Sequence, residues 1–156
     1  MANAFILTFI FAEKKKMKAT FLFIPLFILV IASCSRKSDG TEFFKSINRS
    51  EFISLIADYE DSPSSYKGDK PCVIDFYADW CQPCKKLSPK LNKMAAEFGG
   101  SVCFYKINVD SEPDIADSYD VNTIPAVFIC HDNIIEKAPA NVSTIKDLLN
   151  QILKKD

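Results

Sequence analysis

Short apolar runs alternate with amphipathic stretches along the chain after residue 42. Five runs rich in β-branched and aromatic residues are typical of strands. Three stretches between them and one after the last run carry helical patterns or helix-start signals. Strands alternating with helices, then a hairpin and a final helix, predict an α/β sheet layered by helices. The predicted strands are 43–47, 72–78, 102–109, 126–130 and 134–137.

Three of the predicted helices have recognisable start signals. Ser50 is a suitable N-cap for a helix over 51–59. Pro113 suits the first turn of a helix over 114–119, because proline has no N–H to satisfy there. Ser143 is the expected cap of the last helix, whose inward side chains are predicted to be Ile145, Leu148, Leu149 and Ile152.

The longest predicted helix follows Cys81. Pro89 lies inside it and should kink it, because proline removes one helical hydrogen bond. Gly99 and Gly100 are expected to end it. Its apolar side chains recur at three-to-four spacing, which predicts one buried face: Leu87, Leu91, Met94, Ala95 and Phe98.

The N-terminus has a different pattern, an uninterrupted apolar run over 19–32 that follows Lys18. The run is short for a transmembrane helix but suits the apolar region of a signal peptide. It ends in Ala32 and Ser33 just before Cys34, and small residues before a cysteine resemble the bacterial lipobox. In that motif the cysteine is lipidated and becomes the mature N-terminus.

The N-terminal pattern predicts three parts of the chain. Residues 1–33 are a signal peptide with a lipobox, and Met17 is an alternative start because the lysines follow an apolar stretch. Residues 34–41 are the lipidated Cys34 and a tether, and residues 42–156 are one domain. The expected location is the periplasm or cell envelope, anchored to a membrane by lipid. The alternatives are an ordinary signal peptide cut elsewhere and an uncleaved anchor.

Composition excludes some functions. The chain of 156 residues has a net charge of −1 and no basic patch, so nothing favours nucleic acid as a partner. No internal repeat or low-complexity tract is present. The domain is long enough to bury a core of its own.

The candidate chemistry lies in the segment 75–85, DFYADWCQPCK. Cys81 and Cys84 are two residues apart, with Trp80 before the pair and Pro83 inside it. A helix N-terminus favours a thiolate at the first cysteine, and the thiolate is the species that attacks disulfides. The pattern therefore predicts dithiol/disulfide exchange, with Cys81 as nucleophile and Cys84 as the resolving thiol.

A structural bridge or a zinc knuckle is the alternative interpretation of this cysteine pair. Zinc requires four ligands, usually from two such pairs or from added histidines. His131 is the only histidine and no second CxxC pair occurs, so metal binding is not expected.

Asp75 is a carboxylate within an otherwise apolar strand. Alternation puts it on one face with Val73 and Tyr77. Burial raises the pKa of a carboxyl group, which suits a proton acceptor for Cys84. The alternative is a polar residue at a strand end that reaches solvent.

From Gly68 to Ile129 the chain resembles bacterial thioredoxins. The resemblance rests on VIDFYADWCQPCK at 73–85, on Pro89, on KINVD at 106–110, and on TIP at 123–125. It implies a thioredoxin fold with a central mixed five-stranded sheet flanked by helices. It also implies a monomeric protein-disulfide oxidoreductase without a cofactor beyond its redox-active disulfide. The chain most resembles exported, lipid-anchored members.

The resemblance also assigns roles to individual residues. Asp75 is expected below the cysteines, with Lys106 as its partner on the neighbouring strand. The Ile124-Pro125 bond is expected to be cis, which leaves the preceding backbone free to pair with an extended substrate; an ordinary trans proline is the alternative. Trp80 is expected at the rim of the active surface, its alternative being a core residue. The expected substrate-binding residues are Trp80, Gln82, Pro83, Ile124 and Pro125.

The chain departs from the family pattern at three places. Gln82 stands between the cysteines where thioredoxins usually have glycine. The final hairpin has Asn133 followed by two isoleucines instead of a glycine, and the loop after it reads APAN at 138–141. In the family this loop helps to form the substrate groove.

The first functional hypothesis is a reductant of protein disulfides outside the cytoplasm. Because cytosolic NADPH is absent there, a transmembrane electron donor is implied as a partner. Oxidase or isomerase activity in envelope protein maturation is an alternative. So is a non-catalytic adaptor that uses the fold as a binding surface. A copper-handling protein is the third class, which His131 alone would serve poorly.

Three cysteines remain outside the predicted site: Cys72, Cys103 and Cys130. Each falls near a strand end, and the expected topology brings those ends together far from Cys81. We expect three buried, inert thiols. The alternative is a second disulfide, because neighbouring strands are close enough for one.

Overall fold

The computed structural model describes residues 43–155. It contains a mixed five-stranded sheet in the order β1-β3-β2-β4-β5. Strands β1, β3 and β2 are parallel to one another, and β4 is antiparallel to both of its neighbours, β2 and β5. The strands are β1 (Phe44–Ser46), β2 (Cys72–Tyr77), β3 (Cys103–Asn108), β4 (Ala126–His131) and β5 (Ile134–Ala138). The helices are α1 (Arg49–Leu55), α2 (Gln82–Phe98), α3 (Pro113–Ser118) and α4 (Val142–Ile152).

All five predicted strands and all four predicted helices are present, each strand within one residue of its predicted ends. The predicted signal peptide and tether lie outside the described residues. Within residues 43–155, no helix is long and apolar enough to cross a membrane.

Both predicted serine caps are wrong, because an asparagine two residues earlier has taken the position. The side chain of Asn48 accepts from the N–H of Glu51 at 3.0 Å, and the Glu51 carboxylate accepts from the N–H of Asn48 at 3.2 Å. This reciprocal pair is a capping box, and it starts α1 before Ser50. The side chain of Asn141 caps α4 without a reciprocal bond and accepts from the N–H of Ser143 at 3.0 Å.

Helix α1 is also shorter than predicted and ends at Leu55, not at residue 59. The carbonyl of Ile56 accepts from the N–H of Lys67 at 2.8 Å, a loop residue far along the chain. This tertiary bond captures the carbonyl that the next helical turn would have used, so the chain leaves the helix there.

The strand β2 has a core on each of its faces. Ile74 and Phe76 pack with α1 and α3 on one face, while Val73 packs with α2 and α4 on the other. Asp75 alternates with these residues and therefore lies on the α2 side. The buried side chains of α2 and α4 on that side are Leu87, Leu91, Met94, Ala95, Ile145, Leu149 and Ile152.

The turns use left-handed residues where the fold needs them. Gly99 ends α2 with a φ of 56°, and its N–H bonds the carbonyl of Ala95. Asp132 and Asn133 join β4 to β5 with φ values of 46° and 65°. A two-residue hairpin of type I′ needs positive φ at both positions, and Asp and Asn tolerate it better than most residues. The hairpin therefore forms without the glycine usual in the family.

The three remaining cysteines lie together at one end of the sheet, as predicted. Cys72 is directly opposite Cys103 on β3 and opposite Cys130 on β4. All three are free thiols. Cys72 and Cys130 are buried, but Cys103 is only half-buried, so the prediction that all three are buried is wrong. The reason is register: β1 first pairs at Phe44 with the residue after Cys103, which leaves Cys103 uncovered on that side.

We expect Cys103 to react with iodoacetamide at least roughly tenfold faster than Cys72 or Cys130, because buried thiols react only after local opening. The measurement is pulsed alkylation of the native oxidised protein, followed by peptide mass mapping. Equal rates at the three positions would contradict the burial pattern. A disulfide-linked peptide joining any two of them would contradict the free-thiol state.

Candidate active site

Cys81 and Cys84 are joined by a disulfide at the start of α2, with their Cα atoms 5.3 Å apart. Cys81 is the N-cap of the helix, and its sulfur accepts from the backbone N–H of Cys84 at 3.2 Å. Cys84 lies inside the first turn. Both residues are almost fully buried, at 3% and 1% exposure, so position along the helix distinguishes them better than accessibility does.

The start of α2 favours negative charge at Cys81. The first turn of α2 contains no acidic residue, and the helix continues for 17 residues. Its unpaired N–H groups carry partial positive charge, which stabilises a thiolate at the N-cap. Lys85 and Lys86 follow directly and add positive charge nearby. When the bond is reduced, the helix start therefore favours a thiolate at Cys81.

Asp75 is fully buried on β2 beneath α2. Its Oδ2 accepts from the Ser88 hydroxyl at 3.1 Å. Its Oδ1 has no hydrogen-bond donor among residues 43–155. Burial raises the pKa of Asp75 from its usual 3.8 to about 6, against the opposing effects of the Ser88 hydroxyl and the Lys106 charge. A carboxyl group with such a pKa exchanges protons readily near neutral pH.

Lys106 is the direct neighbour of Asp75 on β3, as the resemblance implies. Its ammonium lies over the ring of Phe44, 5.7 Å from the ring centroid. The half-buried lysine lowers the pKa of Asp75 by favouring the carboxylate. The structure thus brings the two charged residues of the predicted site together.

Ser88 belongs to the site, although the sequence analysis did not single it out. It lies four residues after Cys84, hence one turn along the same face of α2. It is a hydroxyl on a face otherwise formed by Leu87 and Leu91. A polar residue on the buried side of an amphipathic helix is the signal that could have found it.

Trp80 is at the rim, with 65% of its surface exposed. Its indole Nε1 donates to Oδ2 of Asp110 at 3.0 Å, a contact that the sequence analysis also missed. Asp79 accepts a longer bond, 3.5 Å, from the amide of Asn108. The loops after β2 and β3 are therefore joined by polar contacts, and they carry acidic side chains beside the indole.

The predicted substrate-binding residues surround the disulfide. The Ile124-Pro125 bond is cis, as the resemblance implies. Ile124 packs against the cluster of Ala78, Cys81 and Cys84. Gln82 and Pro83 are exposed between the cysteines, and Pro83 and Pro125 line one groove.

The metal-binding alternatives gain no support from the described residues. Between residues 43 and 155, no cluster of three or more His, Cys, Asp or Glu side chains could hold a metal ion. His131 ends β4, near Cys72, and Pro125 lies just before the other end of that strand. The histidine is therefore at the end of the strand away from the disulfide. Its ring nitrogens contact Asp132 at 3.1 Å and Glu136 at 3.3 Å.

Cys81 lies at a helix N-terminus, which stabilises a thiolate, and Cys84 is close enough to form a disulfide with it. This arrangement is that of a thiol–disulfide oxidoreductase. Comparisons agree: the family model described as Thioredoxin matches residues 44–155. The chain therefore belongs to the thioredoxin family, whose members act on protein disulfides. This result makes it an enzyme of thiol–disulfide exchange, and the non-catalytic adaptor is not supported.

Individual relatives give the same result. The thioredoxin of Borreliella burgdorferi is 40% identical over 84 residues, which are 53% of this chain and 72% of that protein. Mitochondrial thioredoxin 3 of Saccharomyces cerevisiae, in its oxidised form, is 30% identical with a TM-score of 0.56, covering 69% of this chain and 94% of that one. The thioredoxin of Trypanosoma brucei brucei has a TM-score of 0.62 over 76% of this chain and 98% of that one. At 23% identity, it supports the fold alone.

We expect Asp75→Asn to change how stability depends on pH. Because the pKa of Asp75 is higher in the folded than in the unfolded chain, the folded protein loses stability as the carboxyl ionises between about pH 4 and pH 7. The Asp75→Asn variant lacks this loss. Its free energy of unfolding, relative to that of the native protein, should therefore rise by about 3 kcal/mol as the pH increases across that window.

Urea unfolding of both oxidised proteins at a series of pH values measures this difference. Ser88→Ala is the matched control: it keeps the carboxyl but removes a bond that lowers its pKa. The loss of stability should then extend to higher pH. A difference between Asp75→Asn and native protein that does not vary with pH would show that Asp75 is not perturbed by burial.

Proposed function

We propose that this chain is a lipid-anchored reductant of protein disulfides in the bacterial cell envelope. The observation that carries the redox part is the position of Cys81 as N-cap of α2, with Cys84 N–H on its sulfur. The lipobox-like sequence before Cys34 supports the location.

The proposed reaction begins with the reduced pair. The Cys81 thiolate attacks one sulfur of a substrate disulfide, forms a mixed disulfide, and expels the other substrate sulfur as a thiolate that takes up a proton. Cys84 then loses its proton and attacks the Cys81 sulfur, which releases the second substrate thiol. Two substrate thiols form, and the enzyme ends as the Cys81–Cys84 disulfide.

Asp75 is the proposed acceptor of the Cys84 proton. With a pKa of about 6 it is mostly ionised at neutral pH, yet basic enough to take up a proton. Its Oδ2 is held by Ser88, one turn below Cys84, while Oδ1 remains for the proton. Lys106 favours the ionised form between turnovers.

The substrate would bind around Cys81. Trp80, Gln82 and Pro83 are exposed and lie next to Cys81 in the chain, so they offer surface for this contact. Residues Ile124 and Pro125 would supply the backbone against which an extended substrate strand pairs.

Restoring the dithiol requires electrons from outside the protein. Because the proposed location lacks cytosolic NADPH, we propose a transmembrane dithiol donor as the recharging partner. Its dithiol would reduce the Cys81–Cys84 disulfide by the same exchange chemistry in reverse. An oxidase or isomerase role would differ only in the partner and the redox potential, and the same residues would serve.

The first test is reduction of insulin by the full-length protein with a chemical dithiol as electron source. Cys81→Ser should lower turnover to background, because no nucleophile remains at the N-cap. Cys84→Ser should also stop turnover but accumulate mixed disulfides with substrate, seen by non-reducing electrophoresis. Cys103→Ser is the control at the opposite end of the sheet and should retain full activity. Trapping by Cys81→Ser instead would reverse the two assignments.

The second test concerns the membrane anchor. In a bacterial host, Cys34→Ala should abolish labelling with radioactive fatty acid and leave an unprocessed precursor, because the thiol is the acceptor of the lipid. Ser33→Ala keeps a small residue before the cysteine and should still be processed. A mature N-terminus other than residue 34, found by mass spectrometry, would end the lipoprotein proposal.

A further inference from the structure

A groove of about 460 Å³ lies beside the disulfide, between α2 and the start of α4. We call it the lysine groove, and its lining residues are Pro83, Lys86, Leu87, Lys90, Pro125 and 140–143. Pro83 sits between the two cysteines, and Lys86 and Lys90 follow it at one and two helical turns. The groove therefore leads away from the reacting sulfurs along α2.

Positive charge dominates the lysine groove. Lys86 and Lys90 are exposed, lie four residues apart, and so share one face of α2. No acidic residue lines the groove. Within the part of the chain that the structure describes, neither ammonium has a carboxylate within 4.0 Å. Lys146, by contrast, pairs with Glu97 at 2.7 Å.

The opposite wall of the groove is small and uncharged. It is formed by Ala140 and Asn141, from the loop where the chain departs from the family pattern, and by Val142 and Ser143, the first residues of α4. The Asn141 side chain is occupied in capping α4, since it accepts from the N–H groups of Ser143 and Thr144. The first amides of that helix are thus satisfied, and the two lysines supply the charge.

Negative charge lies on the other side of the disulfide. Asp79 and Asp110 stand beside Trp80, in the loops after β2 and β3. Asp110 follows β3, and Asp79 contacts Asn108 at the end of β3, whereas Pro125 precedes β4. Because β3 and β4 flank β2 on opposite sides, these aspartates and Pro125 are on opposite sides of the cysteine pair. The surface around Cys81 therefore has acidic side chains on one side and basic side chains on the other.

We propose that the lysine groove binds an acidic segment of the protein substrate, next to the disulfide that is reduced. The inference rests on the proposed function and adds a substrate class: disulfides flanked on one side by Asp or Glu. Lys86 and Lys90 contact this segment and determine specificity. They take no part in the exchange of sulfurs.

The test uses two disulfide-linked peptide substrates that differ only in flanking Asp and Glu residues or the isosteric Asn and Gln. The full-length protein, purified in detergent, is compared with the double variant Lys86→Gln/Lys90→Gln. For the acidic peptide, kcat/KM should fall roughly three- to tenfold in the variant, the effect of losing two exposed charge pairs. For the amide peptide it should not change.

Lys93→Gln is the matched control, because it removes the same charge from the same helix at a residue outside the groove lining. It should leave the preference for the acidic peptide intact. Raising the salt concentration from about 0.05 M to about 0.5 M should weaken that preference in the native protein, since exposed charges are screened.

Each alternative result is informative. Equal kcat/KM of the native protein on the two peptides would overturn the acidic-substrate inference. So would an equal loss on both peptides in the double variant, which would mean that the lysines act on the reactivity of Cys81. If the native protein reduced neither peptide nor insulin, the proposed function itself would be refuted. Exchange without charge preference would refute the groove inference alone.

Discussion

The packing of α2 against the central strand β2 is the constraint on which the site depends. Leu87 and Leu91 bury their side chains against Val73, and this contact fixes the start of the helix above the carboxyl end of the strand. Residues 78–80 join the end of β2 to Cys81, which is the N-cap of α2. The same packing brings Ser88 onto the Asp75 carboxylate. A thiolate site and its proton acceptor thus result from one hydrophobic interface.

The packing of α2 on β2 also makes the ionisation of Asp75 unfavourable. A carboxyl group under a packed helix is deprived of water, and ionising it destabilises the fold. One hydroxyl and one nearby ammonium offset this cost only in part, so the pKa of Asp75 remains near neutrality. A fully compensated carboxylate would be more stable but too weak a base for a thiol.

The sheet separates two groups of cysteines, one at each end of β2. The reactive pair lies at the carboxyl end of β2, where the helix N-terminus activates it. Cys72 and its two neighbours lie at the other end of the strand, among apolar and tyrosine side chains. Burial raises the pKa of Cys130 well above its usual range, which keeps that thiol protonated and unreactive. Position in the fold, and not residue type, decides which thiols exchange.

Local sequence determined the strands, the long helix, the disulfide pair and the burial of Asp75, because each depends on side-chain alternation or on a few adjacent residues. The tertiary structure decided the rest. Asn48 and Asn141, not the nearby serines, cap the helices α1 and α4. Helix α1 ends before Ile56, whose carbonyl accepts from the N–H of Lys67. Strand register decided that Cys103 is partly uncovered. The Ser88 and Asp110 contacts join residues 13 and 30 positions from their partners. Such pairs depend on how separate elements pack, which periodicity within one segment does not encode.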